Sequence, residues 1–455
     1  MAEFRLIPRI ESYPRVVAFA QSRLGKVILL AVFGLGLYFL KRDLLVLLLL
    51  PPLGFITYLP KYRRLTLAVC PFLLLLGKYF HSPLEMASMF SLVAAGILLY
   101  WCARRWPQSR FGRRPVVFLL TGFTLLILCA CATTANSLAY TILWSLAGAA
   151  VSYVWFIGFA LLDRNSKPST DLTLELASFR PLWSPDITPI PKGAAYLRRI
   201  EARNPEQLAI VQLKGLKLLV WAILLTELSK YWYSFFHGYL LIPTLNDALA
   251  MSVKRTPLAW HTLWESLLLY FFESILAMAT ITHRIVACCR MVGYNALRGT
   301  YQPLSSRTIT EFFNRYAYYY KELLVDFFFY PAFLRYWKGH RRLRMVFATF
   351  AAACFGNAFF HFTLEWKIIR DAGLWRALVN FQAFFFYCFV LAAALSISQL
   401  RKRGPRPAGF FRGRFLPALS VGVFYCLLNV FACARGSYPL VEHLKYLAGL
   451  FFIHF

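Results

Sequence analysis

The stretch LAYTILWSLAGAAVSYVWFIGFALL, residues 138–162, contains no charged side chain and no proline. Wound as an α-helix at 1.5 Å per residue it extends over about 37 Å, more than the roughly 30 Å of hydrocarbon in a bilayer. It is apolar on every face, so it suits the interior of a large bundle or lipid, not the edge of a soluble domain. Similar runs occur on either side of it. Before it they lie near residues 26–40, 44–59, 65–80, 86–102 and 116–132; after it near 216–236, 264–281, 345–364, 376–397, 415–434 and 440–455. The first two are short or interrupted by Pro51 and Pro52, which leaves one of them open to a re-entrant reading. The expectation is an all-α, polytopic membrane protein with about 11–12 transmembrane helices.

Composition agrees. The chain has 455 residues, of which 59% are hydrophobic and 15% charged, whereas soluble domains run at about 45–50% and about 25%. One soluble core has no room for 43 Phe, 25 Tyr and 12 Trp. Fifty Lys and Arg against 20 Asp and Glu leave a formal net charge of +30, but the low charged fraction excludes a soluble nucleic-acid-binding protein. The cations are clustered instead, at residues 15–26, 61–64, 104–114, 338–344 and 401–414. Short cytoplasmic loops collect Lys and Arg, so these clusters read as an orientation signal with affinity for anionic lipid headgroups. The parity of spans between them closes if residues 293–344 begin and end on the cytoplasmic side, with both termini cytoplasmic as well.

Residues 1–25, alternating Arg5, Arg9, Arg15 and Arg23 with apolar side chains, suit an interfacial amphipathic helix and do not read as a cleavable signal peptide. Residues 26–162 then form an N-terminal transmembrane bundle, 163–213 a proline-rich cytoplasmic loop with one short surface helix, and 214–455 a second transmembrane core. Seven of the ten cysteines fall within or at the ends of apolar runs and read as small buried hydrophobes, with Cys288-Cys289 the one pair near a cytoplasmic surface. No CxxC spacing and no histidine pair points to a metal.

Ionisable groups inside apolar spans cost about 2.5–3.5 kcal/mol each and mark candidate sites. Glu227, Glu265, Glu273, Asp326 and His361 stand out. The carboxylates also serve as helix–helix glue or as partners of nearby cations. In AAACFGNAFFHF, residues 351–362, Asn357 and His361 are four apart and share a helix face, which Glu365 extends. A neutral imidazole there can accept a proton; spacing alone leaves a satisfied core histidine equally open. The stretch PLSSRTITEFFNRYAYYYKELLVDFFFYP, residues 303–331, is too polar for lipid and too apolar for water. It reads as a re-entrant hairpin, 303–336, lining an internal site.

Taken together, Lys214-Gly-Leu-Lys217 at a span start, Gly293-Tyr294, the 303–331 stretch and His361 within a later span resemble the membrane-bound O-acyltransferase superfamily. The likeness covers about residues 205–400 and lies nearest its bacterial members that acetylate alginate or D-alanylate teichoic acid. Two departures place the chain in a divergent branch: Ala317 stands where the central motif commonly ends in His, and Phe360-His361-Phe362 replaces Trp-His-Gly.

The resemblance implies a membrane-bound O-acyltransferase (MBOAT)-like core with a funnel narrowing at His361. His361 and Asn314 would be catalytic, with Asn357, Arg315, Glu311, Asp326 and Tyr316 binding substrate. It implies no metal and no bound cofactor. The donor would be acyl-CoA or an acyl carrier protein on the cytoplasmic side, and the acceptor a hydroxyl of an exported polysaccharide or cell-envelope glycan. Membrane lipids and an accessory acyl-transfer protein are the other expected partners, and nucleic acid is not one. A lipid or small-molecule alcohol is the alternative acceptor. The implied location is the bacterial inner membrane, with the endoplasmic reticulum as the alternative. A transporter or flippase is the competing class, but only one broken region is evident where transporters commonly carry a matched pair. An inactive scaffold of the same fold is favoured only by Ala317.

Overall fold

The computed structural model describes residues 7–79, 81–164, 171–183, 187–401, 409–433 and 437–453. It is all-helical, with no strand among the described residues. Eight described helices are long and apolar enough to cross a membrane: Arg23–Lys41, Pro83–Arg105, Leu138–Asp163, Pro205–Tyr239, Trp260–Met291, Arg341–Leu364, Gln382–Leu400 and Phe411–Phe431. This is the architecture of a multi-pass membrane protein.

The number is lower than the expected 11–12, for three local reasons. The apolar runs at 44–59 and 65–80 form one element, Leu44–Tyr58 and Pro60–Gly77, bent by 116°. Pro60 has no N–H to continue the helix and holds Leu59 out of helical geometry (φ −124°, ψ 64°). Counted as one span, the pair raises the total to nine. Helix Pro115–Cys131 is apolar but has only 17 residues, about 25 Å. The run at 440–455 yields helix Leu440–Gly449 only. Its orphan carbonyl at Leu450 accepts the indole N–H groups of both Trp260 (2.8 Å) and Trp264 (3.0 Å).

The chain divides into two compact units, Met1–Thr226 with Thr280–Gly299, and Glu227–Ala279 with Thr300–Phe455. In the first, helix Leu138–Asp163 packs against both Pro83–Arg105 and Pro115–Cys131, burying Tyr153 and Trp155 completely. The described part of the expected cytoplasmic loop is tied into this unit. Helix Leu172–Phe179, capped by Asp171 (Leu174 N–H to Oδ1, 2.7 Å), buries Leu174, Glu175, Ala177, Ser178 and Phe179, so it is not a surface helix. A second tie joins Ile200–Ala202 to Gly293–Asn295 through two antiparallel backbone hydrogen bonds (2.8 and 2.9 Å). Beneath it the buried Arg63 donates to Glu201 (3.2 Å) and to the Ala202 carbonyl (3.0 Å), and Arg64 donates to Glu201 and Asp171 (2.7 Å each). Gly293 is required here: its φ is +99°, and a Cβ would lie 2.7 Å from Arg63 Nη2.

Of the expected interfacial helix, residues 1–6 lie outside the described residues. The rest forms Ile10–Ser12 and helix Pro14–Gln21, with Glu11 bonded to Lys217 (2.5 Å).

In the second unit the core gathers around Leu267, Leu391, Tyr425 and Tyr446. The stretch expected as a re-entrant hairpin is broken into Pro303–Ser305, Ile309–Tyr316, Tyr318–Leu324, a π turn at Val325–Phe329, and Tyr330–Arg335. The break falls at Ala317 (φ −140°, ψ 62°). Backbone groups freed by such a break need partners. The carbonyl of Arg315 accepts the Tyr301 N–H (2.8 Å) and that of Tyr316 the Thr300 hydroxyl (2.7 Å). Tyr425 holds the broken helix from outside, stacking on Phe312 (centroids 3.9 Å apart) and donating to the Ile309 carbonyl (3.0 Å).

Candidate functional site

All seven residues expected to carry the site lie in the second unit; the fold gathers six of them into two places and leaves Tyr316 apart. His361 sits on helix Asn357–Leu364, immediately after a π turn, Ala351–Gly356, in the longer helix Arg341–Leu364. Such turns recur at functional sites because the extra residue loosens the backbone ladder and re-aims the side chains beyond it. A second π turn, Val325–Phe329, packs on the first. Phe328 lies so close to Gly356 that a Cβ there would be 2.5 Å from its ring.

His361 is half-buried and enclosed edge-on by Phe384 (ring centroids 4.7 Å), Phe360 (5.3 Å) and Tyr320 (5.5 Å). The Tyr320 hydroxyl donates to Asn357 Oδ1 at 2.6 Å, and Asn357 is buried. The structure therefore brings Asn357 and His361 together as the spacing predicts and adds Tyr320 between them. Asp326 is half-buried on the neighbouring π turn. Tyr316 is engaged elsewhere: it stacks on Phe312 (5.5 Å) and reaches the Ser274 carbonyl (3.4 Å).

Glu311, Asn314 and Arg315 line a separate cavity of ≈ 1450 Å³, formed by helix Ile309–Tyr316 and the loop before it, the end of Gln382–Leu400 and the start of Phe411–Phe431. Thr308 caps that helix (Glu311 N–H to Oγ1, 3.1 Å), and Glu311 accepts the Arg307 N–H (2.9 Å). Arg315 is held by Glu311 (2.7 Å) and the Ser305 hydroxyl (2.8 Å). Neither His361 nor Asn357 lines this cavity. Its wall residues Ala394 and Ser398 follow Phe384 by 10 and 14 positions on one helix, about 15–21 Å along the axis. On the shorter side Phe313, next to Asn314, abuts Tyr320 (6.3 Å). An aromatic wall thus stands between the cavity and the histidine.

Of the other apolar-region carboxylates, Glu265 is half-buried, and two have close partners. Glu227 pairs with Lys230 (2.6 Å) and Glu273 with His237 (2.8 Å), whose other ring nitrogen meets the Ile242 carbonyl (2.6 Å). No group of three His, Cys, Asp or Glu side chains capable of holding a metal occurs among the described residues. All ten cysteines are free, with Cys288 and Cys289 buried.

Tyr320, Phe384 and His237 were not singled out from the sequence. For Tyr320 the signal was present, in three tyrosines directly after the break residue Ala317; for the other two it lies only in contacts across the fold. No protein-family model matches the chain, and no curated protein matches it either.

Proposed function

We propose that the chain is a membrane-embedded O-acyltransferase of the membrane-bound O-acyltransferase kind. It moves an acyl group from a thioester donor, acyl-CoA or an acyl carrier protein, to a hydroxyl acceptor of a cell-envelope glycan. The observation that carries the reading is the cluster of His361, Tyr320 and Asn357 beside two packed π turns.

In this mechanism the His361 imidazole takes the proton of the acceptor hydroxyl as that oxygen attacks the thioester carbonyl. The new C–O bond forms, the C–S bond breaks, and the thiolate leaves and recovers the proton from His361 as a thiol. The aromatic enclosure holds the ring in place and excludes water that would hydrolyse the thioester. With its Oδ1 engaged by Tyr320, Asn357 has its amide N–H groups to offer a developing oxyanion. Tyr320 is a positioning residue, acting through Asn357. The cationic clusters suit a phosphorylated or acidic donor approaching from the face they mark.

The test is thiol release by purified full-length protein given a panel of acyl-CoAs and acyl carrier proteins, with and without glycan acceptor. His361→Ala should abolish release while eluting as a single folded species. Equal release by parent and variant, or none by either with any donor, removes the support for this mechanism.

A further inference from the structure

The 1450 Å³ cavity has a composition that acyl transfer at His361 does not use. Among the described residues it is lined by Arg307, Arg315, Arg401 and Arg414 against a single carboxylate, Glu311, which is already bonded to Arg315. Four cations and one anion leave that described lining at +3. Arg307, Arg401 and Arg414 form no side-chain ion pair among the described residues. Guanidiniums lining one cavity in excess over carboxylates suit phosphate oxygens.

The lining also carries exposed apolar side chains. Ile397 is 67% exposed, Phe410 71% and Phe415 44%, and all three line the cavity. They stand at the adjoining ends of Gln382–Leu400 and Phe411–Phe431, two helices of membrane-crossing length. A small soluble anion would leave those side chains wet. An amphiphile with a phosphate at one end and hydrocarbon at the other satisfies both sets of residues. Span ends are also where headgroups lie. The volume exceeds the roughly 300–1000 Å³ usual for a small-molecule pocket, which leaves room for upper acyl chains beside the headgroup.

We infer that this cavity is a binding site for an anionic phospholipid, its phosphodiester on Arg307, Arg401 and Arg414 and its chains against Ile397, Phe410 and Phe415. The site is independent of the acyltransferase reading, and its test has no catalytic readout.

Delipidated full-length protein in neutral detergent is titrated with phosphatidylglycerol or phosphatidylcholine, and bound lipid is counted by native mass spectrometry. Phosphatidylglycerol should bind at least tenfold more tightly than phosphatidylcholine. Arg401→Gln with Arg414→Gln should weaken it about thirtyfold, from about 1 kcal/mol for each cation near a headgroup. Arg104→Gln with Arg105→Gln, on another basic cluster, should leave it unchanged. If the double variant does not fold, Thr310→Asp adds a carboxylate to the same lining while keeping every guanidinium, and should also remove the preference.

Equal binding of the two lipids overturns the inference, as does a preference that survives both cavity variants. Glycerol 3-phosphate separates the two sources of phosphate. The lipid site predicts no competition at millimolar concentration; competition as strong as that of phosphatidylglycerol would make this a site for soluble phosphate esters and refute the lipid.

Discussion

Glu201→Ala should be among the most damaging single substitutions in the first unit. Glu201 accepts from two guanidiniums, Arg63 at 3.2 Å and Arg64 at 2.7 Å. The two do not weigh equally. Arg64 is about one-third exposed and keeps Asp171, so it contributes little. Arg63 is 3% exposed, and its Nε has no hydrogen-bond partner. Without Glu201 it retains only the Ala202 carbonyl (3.0 Å) and the face of Tyr294 (5.7 Å). Breaking a buried pair from one side costs about 3–5 kcal/mol. The two surviving contacts place this case at or just below the lower end, at about 2–3 kcal/mol. Glu201→Gln keeps one acceptor oxygen and should cost about half as much. Removing both partners as Arg63→Met with Glu201→Leu should cost less than the sum of the single changes, because no buried charge is then stranded. Reversible unfolding in mixed micelles of rising sodium dodecyl sulfate fraction, followed by circular dichroism, gives the four free energies. A Glu201→Ala loss below about 0.5 kcal/mol, or strict additivity in the cycle, would refute the assignment of Glu201 as the counter-charge of a buried Arg63.

Gly293→Ala, measured in the same way, should lose about 1–3 kcal/mol from its φ of +99° alone, and its effect should not add to that of Glu201→Ala because both act on Arg63. Burial by itself would raise the carboxyl of Glu11, but the hydrogen bond from Lys217 and the charges of Lys217 and Lys214 carry it below its ordinary value of 4.5. A depressed carboxyl contributes stability in full above that value and loses it as pH falls through the folded value. The unfolding-energy difference between parent and Glu11→Gln should therefore be constant from pH 7 to about 5 and shrink below about 4; a difference independent of pH would contradict the pairing. Burial pushes the Cys433 thiol up to about 12, so a maleimide at pH 7.5 should label the exposed Cys129 and Cys131 first and reach Cys433 only after unfolding, as read by peptide mass. Tyr320→Phe keeps the ring against His361 and removes the bond to Asn357. If Asn357 is the oxyanion donor, thiol release should fall tenfold or more in kcat with KM little changed, whereas a purely structural tyrosine would shift stability and leave kcat alone.

The apolar runs were legible because lipid imposes a one-dimensional rule: about twenty apolar residues in a row. Where the structure departs from that rule, the departure is local backbone chemistry. Pro60 merges two runs into one bent element, and the chain turns at Leu450 beneath two tryptophan N–H groups. The segment 163–213 reads as a loop with one short surface helix because of its prolines. Helix Leu172–Phe179 within it is buried by packing on helix Arg63–Tyr79, whose Arg64 meets Asp171 and Glu201 from 107 and 137 positions away. No local pattern encodes those separations.

The site divides along the same line, and the π turn at Ala351–Gly356 marks where. Asn357 and His361 both come after that turn, so the four-residue rule that puts them on one face applies without interruption. Relations that cross it do not survive. One extra residue in a turn advances everything downstream by about 100° relative to an unbroken helix. A face drawn from Arg341 forward therefore points away from the face that carries His361. The break at Ala317 divides its own segment: Glu311, Asn314 and Arg315 before it line a cationic cavity, and Tyr320 after it joins the aromatic enclosure of His361. Ala317, the position where the resemblance expects a histidine, is buried at the hinge between them. The carbonyls of Arg315 and Tyr316, freed by the break, are covered by the Tyr301 N–H and the Thr300 hydroxyl. Ala317 therefore stands at the boundary between the two groups of residues. Under the proposed mechanism the chemistry falls to the residues after that boundary, and under the lipid-site inference those before it line the headgroup cavity.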